Sequence, residues 1–455
     1  MRIAYIAPGA AGMYCGSCIH DNTLATALVE LGHDVAMLPL YTPIRTDEPS
    51  VASEGIFYGA ANVYLQQALR LARERQIGAK LEQALRLFRR TPRALDRLFD
   101  SGAMLGLVSR LAGASDAASL GPLTLSMLRG EEGRQRKELA RLSAWLAEFR
   151  PDVVQLGNGM LIGLAREIHR ATGAPVVSGL TGEDLFVDGL PEPYRGEVVA
   201  ELRRRAAELA GFVAPSRYYA DRMRELLAVP TVRIHVVPLG VNLEHFAVPA
   251  AAAAGRADPN APVTVGYLAR ICPEKGLHLL VDAFIDLAEE PGAEDVRLEV
   301  GGWVGKRDRP YLGRLERRVR RAGLGERAIF HGELDGDAKR DLLRRIDLFS
   351  VPTTYRESKG LFVLEALAHG VPVVQPAHGA FPELIAATTG GLLVEPDSTE
   401  ALTTGLLELI RDPERRRRLG RLGRDAVERQ FDSRTMAERT AAVYRNIVTS
   451  TRTEA

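Results

Sequence analysis

Cysteine is scarce in this chain. Three in 455 residues are too few for the disulfide framework of a small secreted scaffold. A dominant charge is missing too: Lys and Arg number 59 against 58 Asp and Glu, a formal net charge of +1. The molecule as a whole therefore has no bias toward nucleic acid or another polyanion. No uncharged apolar run reaches the ~20 residues of a transmembrane helix, and no signal-peptide pattern opens the sequence. A cytoplasmic protein is expected. What is present, 46% hydrophobic and 26% charged residues, suits two globular domains with substantial cores.

The most informative stretch is 350–375. Its front end, Asp347-Leu-Phe-Ser-Val-Pro352, reads as a short buried strand closed by proline, and Val371-Pro-Val-Val374 as another. Between them Leu361, Leu364, Leu367 and Ala368 fall at helical spacing, and Gly370 stands where a helix stops. Strand, loop, helix and strand form the unit of a parallel α/β sheet. Glu357 and Glu365 have seven residues between them. A helix beginning near Ser358 puts them roughly 10 Å apart along its axis, about the span from a nucleotide's phosphates to its ribose. The N–H groups of Lys359, Gly360 and Leu361 would then face an anion, with Gly360 allowing close backbone approach. Glu365 could accept from both ribose hydroxyls, because a carboxylate is acceptor-only with two oxygens. A loop acid and a solvated helical Glu would account for each residue singly. They do not account for a Glu in an otherwise apolar helix.

In order, spacing and flanks, Glu357-Ser-Lys-Gly-Leu-Phe-Val-Leu-Glu-Ala-Leu-Ala-His-Gly-Val-Pro-Val-Val374 resembles the signature of the family-4 retaining glycosyltransferases. That signature has two glutamates at this spacing, an apolar-Gly dipeptide in the loop and a Gly-x-Pro-Val-Val exit. Lys359 departs from it, since an aromatic is commoner there. The resemblance implies that Glu357 approaches the donor sugar and Glu365 the nucleotide ribose, with Ser358, Lys359, Gly360 and Leu361 binding the donor between them.

At the start of the chain, Arg2-Ile-Ala-Tyr-Ile-Ala-Pro8 reads as a buried strand entering the loop Gly9-Ala-Ala-Gly-Met-Tyr-Cys-Gly-Ser17. A glycine-rich first βα turn is where α/β folds bring backbone N–H groups to phosphates. The spacing is not the dinucleotide fingerprint, and any tight turn wants glycine. The loop resembles the family's glycine loop, which faces the donor phosphates: Gly12 is the best match, Gly9 and Gly16 are neighbours, and Ala10 and Ala11 break up adjacent glycines. Cys15 and Cys18 invite a redox reading. A zinc site would need two further ligands, and no second Cys pair exists. Small residues lining a nucleotide loop are the preferred account.

Residues 63–148 interrupt the α/β rhythm with a helical pattern. From Arg70 to Arg97 nine Lys/Arg stand against three Asp/Glu. Basic amphipathic helices can lie on anionic membranes, while a solvated face explains the same charges and is preferred. The family's acceptor is usually held by this domain, so the resemblance makes the insertion a place that shapes acceptor choice. Peripheral contact with the inner face of the membrane is the linked expectation. The rhythm resumes with Pro151-Asp-Val-Val-Gln-Leu-Gly-Asn158, Ala174-Pro-Val-Val-Ser-Gly-Leu180, Gly211-Phe-Val-Ala-Pro-Ser216 and Ile234-His-Val-Val-Pro-Leu-Gly240. Where the family commonly carries a histidine near the donor sugar, this chain has Gln155-Leu-Gly-Asn158, so Asn158 or Gln155 is expected to hydrogen-bond a sugar hydroxyl. Gly182-Glu-Asp184 resembles an acceptor-side loop, and helix capping explains it equally well.

Residues 248–262, bracketed by prolines and alanine-rich, read as a linker. The second domain opens with Val263-Thr-Val-Gly-Tyr-Leu-Ala-Arg-Ile-Cys-Pro-Glu-Lys-Gly276, another resemblance to the family. It implies that Arg270 and Lys275 hold the donor diphosphate, a planar fork beside a point charge. Asp335-Gly-Asp337 could suggest metal, but it precedes an expected helix at Lys339–Ile346 and N-capping is preferred.

The expected architecture is α/β, the GT-B fold: two Rossmann-like, doubly wound domains facing across a cleft, with a helical insertion in the first. The domains are 1–247, a linker at 248–262 and 263–432, with a helix at 433–455 crossing back to the first. The expected reaction is retaining, metal-independent transfer of a sugar from a UDP- or GDP-linked donor to a hydroxyl on a glycan, lipid-linked or small-molecule acceptor. No cofactor, metal or nucleic acid is expected, and Glu357, Arg270 and Lys275 carry the catalysis. Epimerisation, hydrolysis or phosphorolysis on the same fold is the rival activity. A nucleotide-sugar-binding protein without turnover is the rival of another class.

Overall fold

Short apolar runs closed by Gly or Pro become the strands of two parallel sheets. In the computed structural model, which describes residues 1–9, 16–46, 48–53, 117–246 and 261–454, the first sheet comprises β1 (Arg2–Ala7), β2 (Asp34–Pro39), β3 (Val153–Leu156), β4 (Val176–Gly179), β5 (Gly211–Ala214) and β6 (Ile234–Val236). Its order is β2-β1-β3-β4-β5-β6. The second comprises β7 (Thr264–Leu268), β8 (Arg297–Gly301), β9 (Ala328–Gly332), β10 (Leu348–Phe349), β11 (Val373–Pro376) and β12 (Gly391–Val394), in the order β12-β11-β10-β7-β8-β9. Ile3 through Ala7 are all buried, and so are all four residues of β3 and of β11. Such unbroken buried runs, apolar but for Gln155 and Gln375, mark strands covered on both faces, as parallel strands are.

Each sheet reverses its strand order beside its first strand. β1 pairs with β2 and with β3, and β7 pairs with β8 and with β10. Ligands of open α/β sheets bind beyond the carboxyl ends of strands at such switch points. In the second sheet those ends carry the loops 269–276 and 350–360, which hold Arg270, Lys275 and Glu357.

The chain divides into two units. The first gathers Met1–Ala214, Ala220–His235 and Thr440–Ala455, and the second Pro215–Tyr219 and Val236–Arg439. Val236–Phe246 goes with the second because Val241 bonds through its backbone to Phe431 and Ser433 and Gly240 lies against Asp432. Most of the expected linker, residues 248–260, lies outside the described residues, as do 63–116 of the expected insertion with its basic run 70–97. The remainder of the insertion is helical, Ala117–Leu128 and Arg136–Phe149.

Two expectations about helices are corrected. The signature helix begins at Leu361 rather than near Ser358, because Gly360 (φ 72°) breaks the helical path before it. Glu365 therefore lies one turn into the helix. The helix expected at Lys339–Ile346 spans Gly336–Arg345, since its cap is Asp335. The helix expected at 433–455 spans Ser433–Glu454, opened by Asp432, which accepts from the N–H of Thr435 at 2.9 Å.

Candidate active site

The loops after β7 and β10 lie against each other, and one glycine makes that closeness feasible. Gly276 (φ 71°) opens the helix Leu277–Leu287, and a Cβ there would stand 1.7 Å from the Pro352 carbonyl oxygen. Thr354 N–H donates to the Glu274 carbonyl at 3.0 Å. Lys275, at the end of the 3-10 turn Pro273–Lys275, is thereby aimed at the β10 loop. Its ammonium rests over the rings of Tyr355 and Phe362, 5.0 and 4.9 Å from their centroids, where cation–π attraction holds it.

Glu357 receives that charge. Lys275 Nζ donates to Glu357 Oε2 at 2.7 Å and to the Tyr355 hydroxyl at 2.5 Å. Tyr355 in turn donates to the same Oε2 at 2.6 Å. Oε1 accepts from the backbone N–H groups of Ser358 and Lys359 at 3.1 and 3.2 Å. The carboxylate is buried, 5% exposed, and burial alone would raise its pKa. Lys275, the Tyr355 hydroxyl and the charge of Lys359 overcome that and hold it down to about 2. Burial and the Glu357 charge push the Tyr355 phenol well above its usual value. Tyr355 is thus a donor and Glu357 an acceptor throughout the neutral range.

This arrangement corrects the expected anion-facing turn. The Lys359 N–H does not look outward but serves Glu357. Gly360 is required for its left-handed backbone, and the helix amides that precede any intrahelical acceptor are those of Leu361 and Phe362. Ser358 and Gly360 are buried and Lys359 is partly so, while Arg270 is exposed on the loop that carries Lys275.

Glu365, also buried, accepts from Lys339 Nζ at 2.8 Å. Its carbonyl accepts from the Nδ1–H of His369 at 3.0 Å. Burial lowers the pKa of that imidazole to about 4, so the ring is neutral at neutral pH. Asp335 caps its helix, accepting from Ala338 N–H at 2.9 Å, whereas Asp337 is exposed and pairs with Arg340. Both carboxylates of the Asp-x-Asp therefore have helix work, and only the first is a cap.

Three residues at this site escaped the sequence reading. Tyr355 and Lys339 carried no motif of their own. Gly379 (φ 59°) brings the β11 loop onto Glu357, where a Cβ would lie 2.5 Å from the Glu357 carbonyl oxygen, and Ala380 N–H donates to that oxygen at 2.8 Å.

The first unit holds the remaining predicted residues. Gly16 is the exposed first residue of the helix Gly16–Glu30; Gly12 and Cys15 lie outside the described residues. Asn158 follows β3 at that sheet's switch point and caps the 3-10 turn Gly159–Leu164, its Oδ1 accepting from Met160 N–H at 3.1 Å. Gln155 is corrected as a sugar ligand. It is 2% exposed, and it donates to Leu156 O and accepts from Tyr444 OH, so it belongs to the interior. Glu183 accepts from the N–H groups of Gly159, Thr181 and Gly182, which ties the Gly182-Glu-Asp184 loop to the turn that Asn158 caps.

Comparison with known proteins follows the same division. The family model for "Glycosyl transferases group 1" matches residues 254–426, and that for "Glycosyltransferase Family 4" matches 120–245. The latter takes in the last part of the segment expected to be an insertion. D-inositol 3-phosphate glycosyltransferase of Xylanimonas cellulosilytica is 30% identical over 410 residues, covering 88% of this chain and 93% of the relative. A GDP-mannose-dependent alpha-(1-6)-phosphatidylinositol monomannoside mannosyltransferase of Mycolicibacterium smegmatis is 27% identical over 315 residues, 66% of this chain and 78% of the relative. Among solved structures, Anabaena HepE in complex with UDP aligns with a TM-score of 0.66 at 16% identity, covering 98% of this chain and 100% of that one. That last likeness is one of fold.

Proposed function

This chain belongs to the family-4 glycosyltransferases of GT-B fold, and from that premise we propose that it transfers a sugar from a nucleoside-diphosphate sugar to an acceptor hydroxyl, with retention and without a metal ion. The observation that carries this reading is the buried Lys275–Tyr355–Glu357 cluster at the switch point of the second sheet, with Arg270 on the same loop. Departure of a nucleoside diphosphate places charge on its β-phosphate, and donors set in place beforehand stabilise that charge. Arg270, Lys275 and the first amides of the helix Leu361–Ala368 are the donors assigned here. Glu357 orients the donor sugar, and Glu365 with Lys339 takes the ribose end. With no residue assigned as a covalent nucleophile, the acceptor attacks from the face the diphosphate leaves, and the leaving phosphate takes its proton.

The relatives' names set the first substrates to test. UDP- and GDP-hexoses are the donors, and a phosphoinositol, free or lipid-linked, is the first acceptor. Glycan acceptors follow. No described helix is long and apolar enough to cross a membrane; contact with a lipid-linked acceptor is assigned to the basic segment 70–97 on the strength of its charge. The test is a thermal-shift screen against nucleotide sugars, then mass detection of transfer with and without EDTA. Stabilisation by one nucleotide class and EDTA-resistant product are expected. Absence of any nucleotide shift overturns the reading, and loss of product with EDTA overturns its metal-free part.

A further inference from the structure

The acceptor capacity of Glu357 is full. A carboxylate offers about four lone-pair positions, and four donors occupy them: Lys275 Nζ and Tyr355 OH on Oε2, and the amides of Ser358 and Lys359 on Oε1. A sugar hydroxyl can reach this carboxylate only when one donor leaves. The two amides are part of the backbone that Gly379 and Ala380 brace. The Tyr355 ring is held at one edge of the cluster beneath the Lys275 ammonium. Lys275 alone sits on a flexible four-carbon stem with rotatable donors, and it is also the cation assigned to the diphosphate.

We propose that Tyr355 is a positioning residue for the donor sugar: its hydroxyl keeps Glu357 Oε2 in place when Lys275 turns from that oxygen to the diphosphate. This rests on the reading of Glu357 as the residue that orients the donor sugar. In the ligand-free site Lys275 and Tyr355 share Oε2. With the donor bound, Lys275 withdraws, one acceptor position opens for a sugar hydroxyl, and Tyr355 remains as a side-chain donor aligning the oxygen. Without the phenol hydroxyl, Oε2 has Lys275 or nothing. The carboxylate is then free to rotate at the moment the sugar needs it. Tyr355 touches neither the reacting carbon nor the leaving oxygen, so its effect passes through Glu357.

The test is Tyr355→Phe, which keeps the ring under Lys275. Affinities for the nucleoside diphosphate and for the intact nucleotide sugar are measured by calorimetry, beside kcat, KM and the thermal midpoint. The variant is expected to melt within about 2 °C of wild type and to bind the nucleoside diphosphate within about threefold. The ratio of nucleotide-sugar to nucleoside-diphosphate affinity should fall about tenfold, and kcat about 10- to 100-fold, the worth of a hydrogen bond to a charged group. Unchanged kcat and an unchanged affinity ratio overturn the proposal. A parallel fall of midpoint, nucleoside-diphosphate affinity and kcat also overturns it, because that is the mark of a merely structural residue. If wild type binds nucleotide sugars but transfers none, the transfer reading fails while the affinity ratio still decides Tyr355. If wild type binds neither ligand, both readings fall.

Discussion

Two clusters of buried charge stand in this chain, one around Arg205 and one around Glu357, and they resemble each other in chemistry while differing in place. Arg205 has no exposed surface. Its guanidinium reaches Glu131, Glu201 and Glu208 at 3.3, 3.1 and 3.1 Å and donates to the Arg129 carbonyl. It ties the 3-10 turn Gly130–Glu132 to the helix Tyr194–Ala206, joining parts of the first unit that lie far apart in sequence. Glu357 is as well satisfied, but its donors come from loops at the carboxyl ends of β7 and β10. Burial and pairing are thus common to both, and a perturbed ion pair alone does not mark a functional site. Position at a switch point, beside glycine-opened loops, is what separates them.

The largest break between the clusters should come from paired substitutions. Lys275→Ala is expected to lower the transfer rate about 10²- to 10³-fold, some 3–4 kcal/mol of transition-state stabilisation. Arg205→Met should leave the rate nearly unchanged but cost about 1–3 kcal/mol in denaturant unfolding, since it removes the hydrogen bonds of a buried guanidinium to partly buried carboxylates. Equal rate losses in the two would erase the distinction.

Acid should sharpen it. Glu357 has its pKa depressed to about 2 from the usual 4.5, so its contribution to stability is complete above 4.5 and is lost as pH falls from there through about 2. Neutral His369, depressed from 6.5 to about 4, adds a loss that begins at higher pH, as pH falls below 6.5. Glu131 and Glu201 are also depressed despite burial, Glu131 by its own backbone N–H and then by Arg205, Glu201 by Arg204 and Arg205. Comparing unfolding free energies across pH for wild type and Lys275→Ala isolates the Glu357 part, because the variant should lose less stability between pH 4.5 and 2. Parallel curves would show that Lys275 does not hold that proton off.

A smaller effect is expected at the ribose end. Glu365→Ala should weaken nucleoside-diphosphate binding about tenfold, roughly 1.4 kcal/mol, whereas Arg205→Met should not move it; calorimetry reads both. Smallest of all, Asp335→Ala should cost about 1 kcal/mol as a lost cap. Asp337→Ala should stay within about 0.5 kcal/mol, as exposed pairs do.

Much of the fold was legible because parallel strands are written as continuous apolar runs between glycines and prolines. Val153–Leu156 and Val373–Pro376 follow that rule but for one buried Gln in each. The start of the helix at Leu361 was not legible. Ser358 and Lys359 can open a helix as readily as a loop, and it is the claim of Glu357 on their amides that makes them a loop. Gln155 failed as a ligand for a similar reason: a polar residue on a buried strand looks functional until its partner, Tyr444, 289 residues away, is seen.

The resemblance to the family implied two parallel α/β sheets and marked Glu357, Glu365, Arg270 and Lys275; the sequence by itself determined which segments are strands and where their loops turn. Those features are local, set by periodicity, glycine placement and spacing along a short stretch. Only the tertiary structure decided who pairs with whom. Lys275 meets Glu357 across 82 residues and Lys339 meets Glu365 across 26. In the first pair the sheet order sets β7 beside β10, and the absence of a Cβ at Gly276 lets their loops close. Spacing along the chain cannot encode such a meeting, because it depends on which strand ends come to lie side by side.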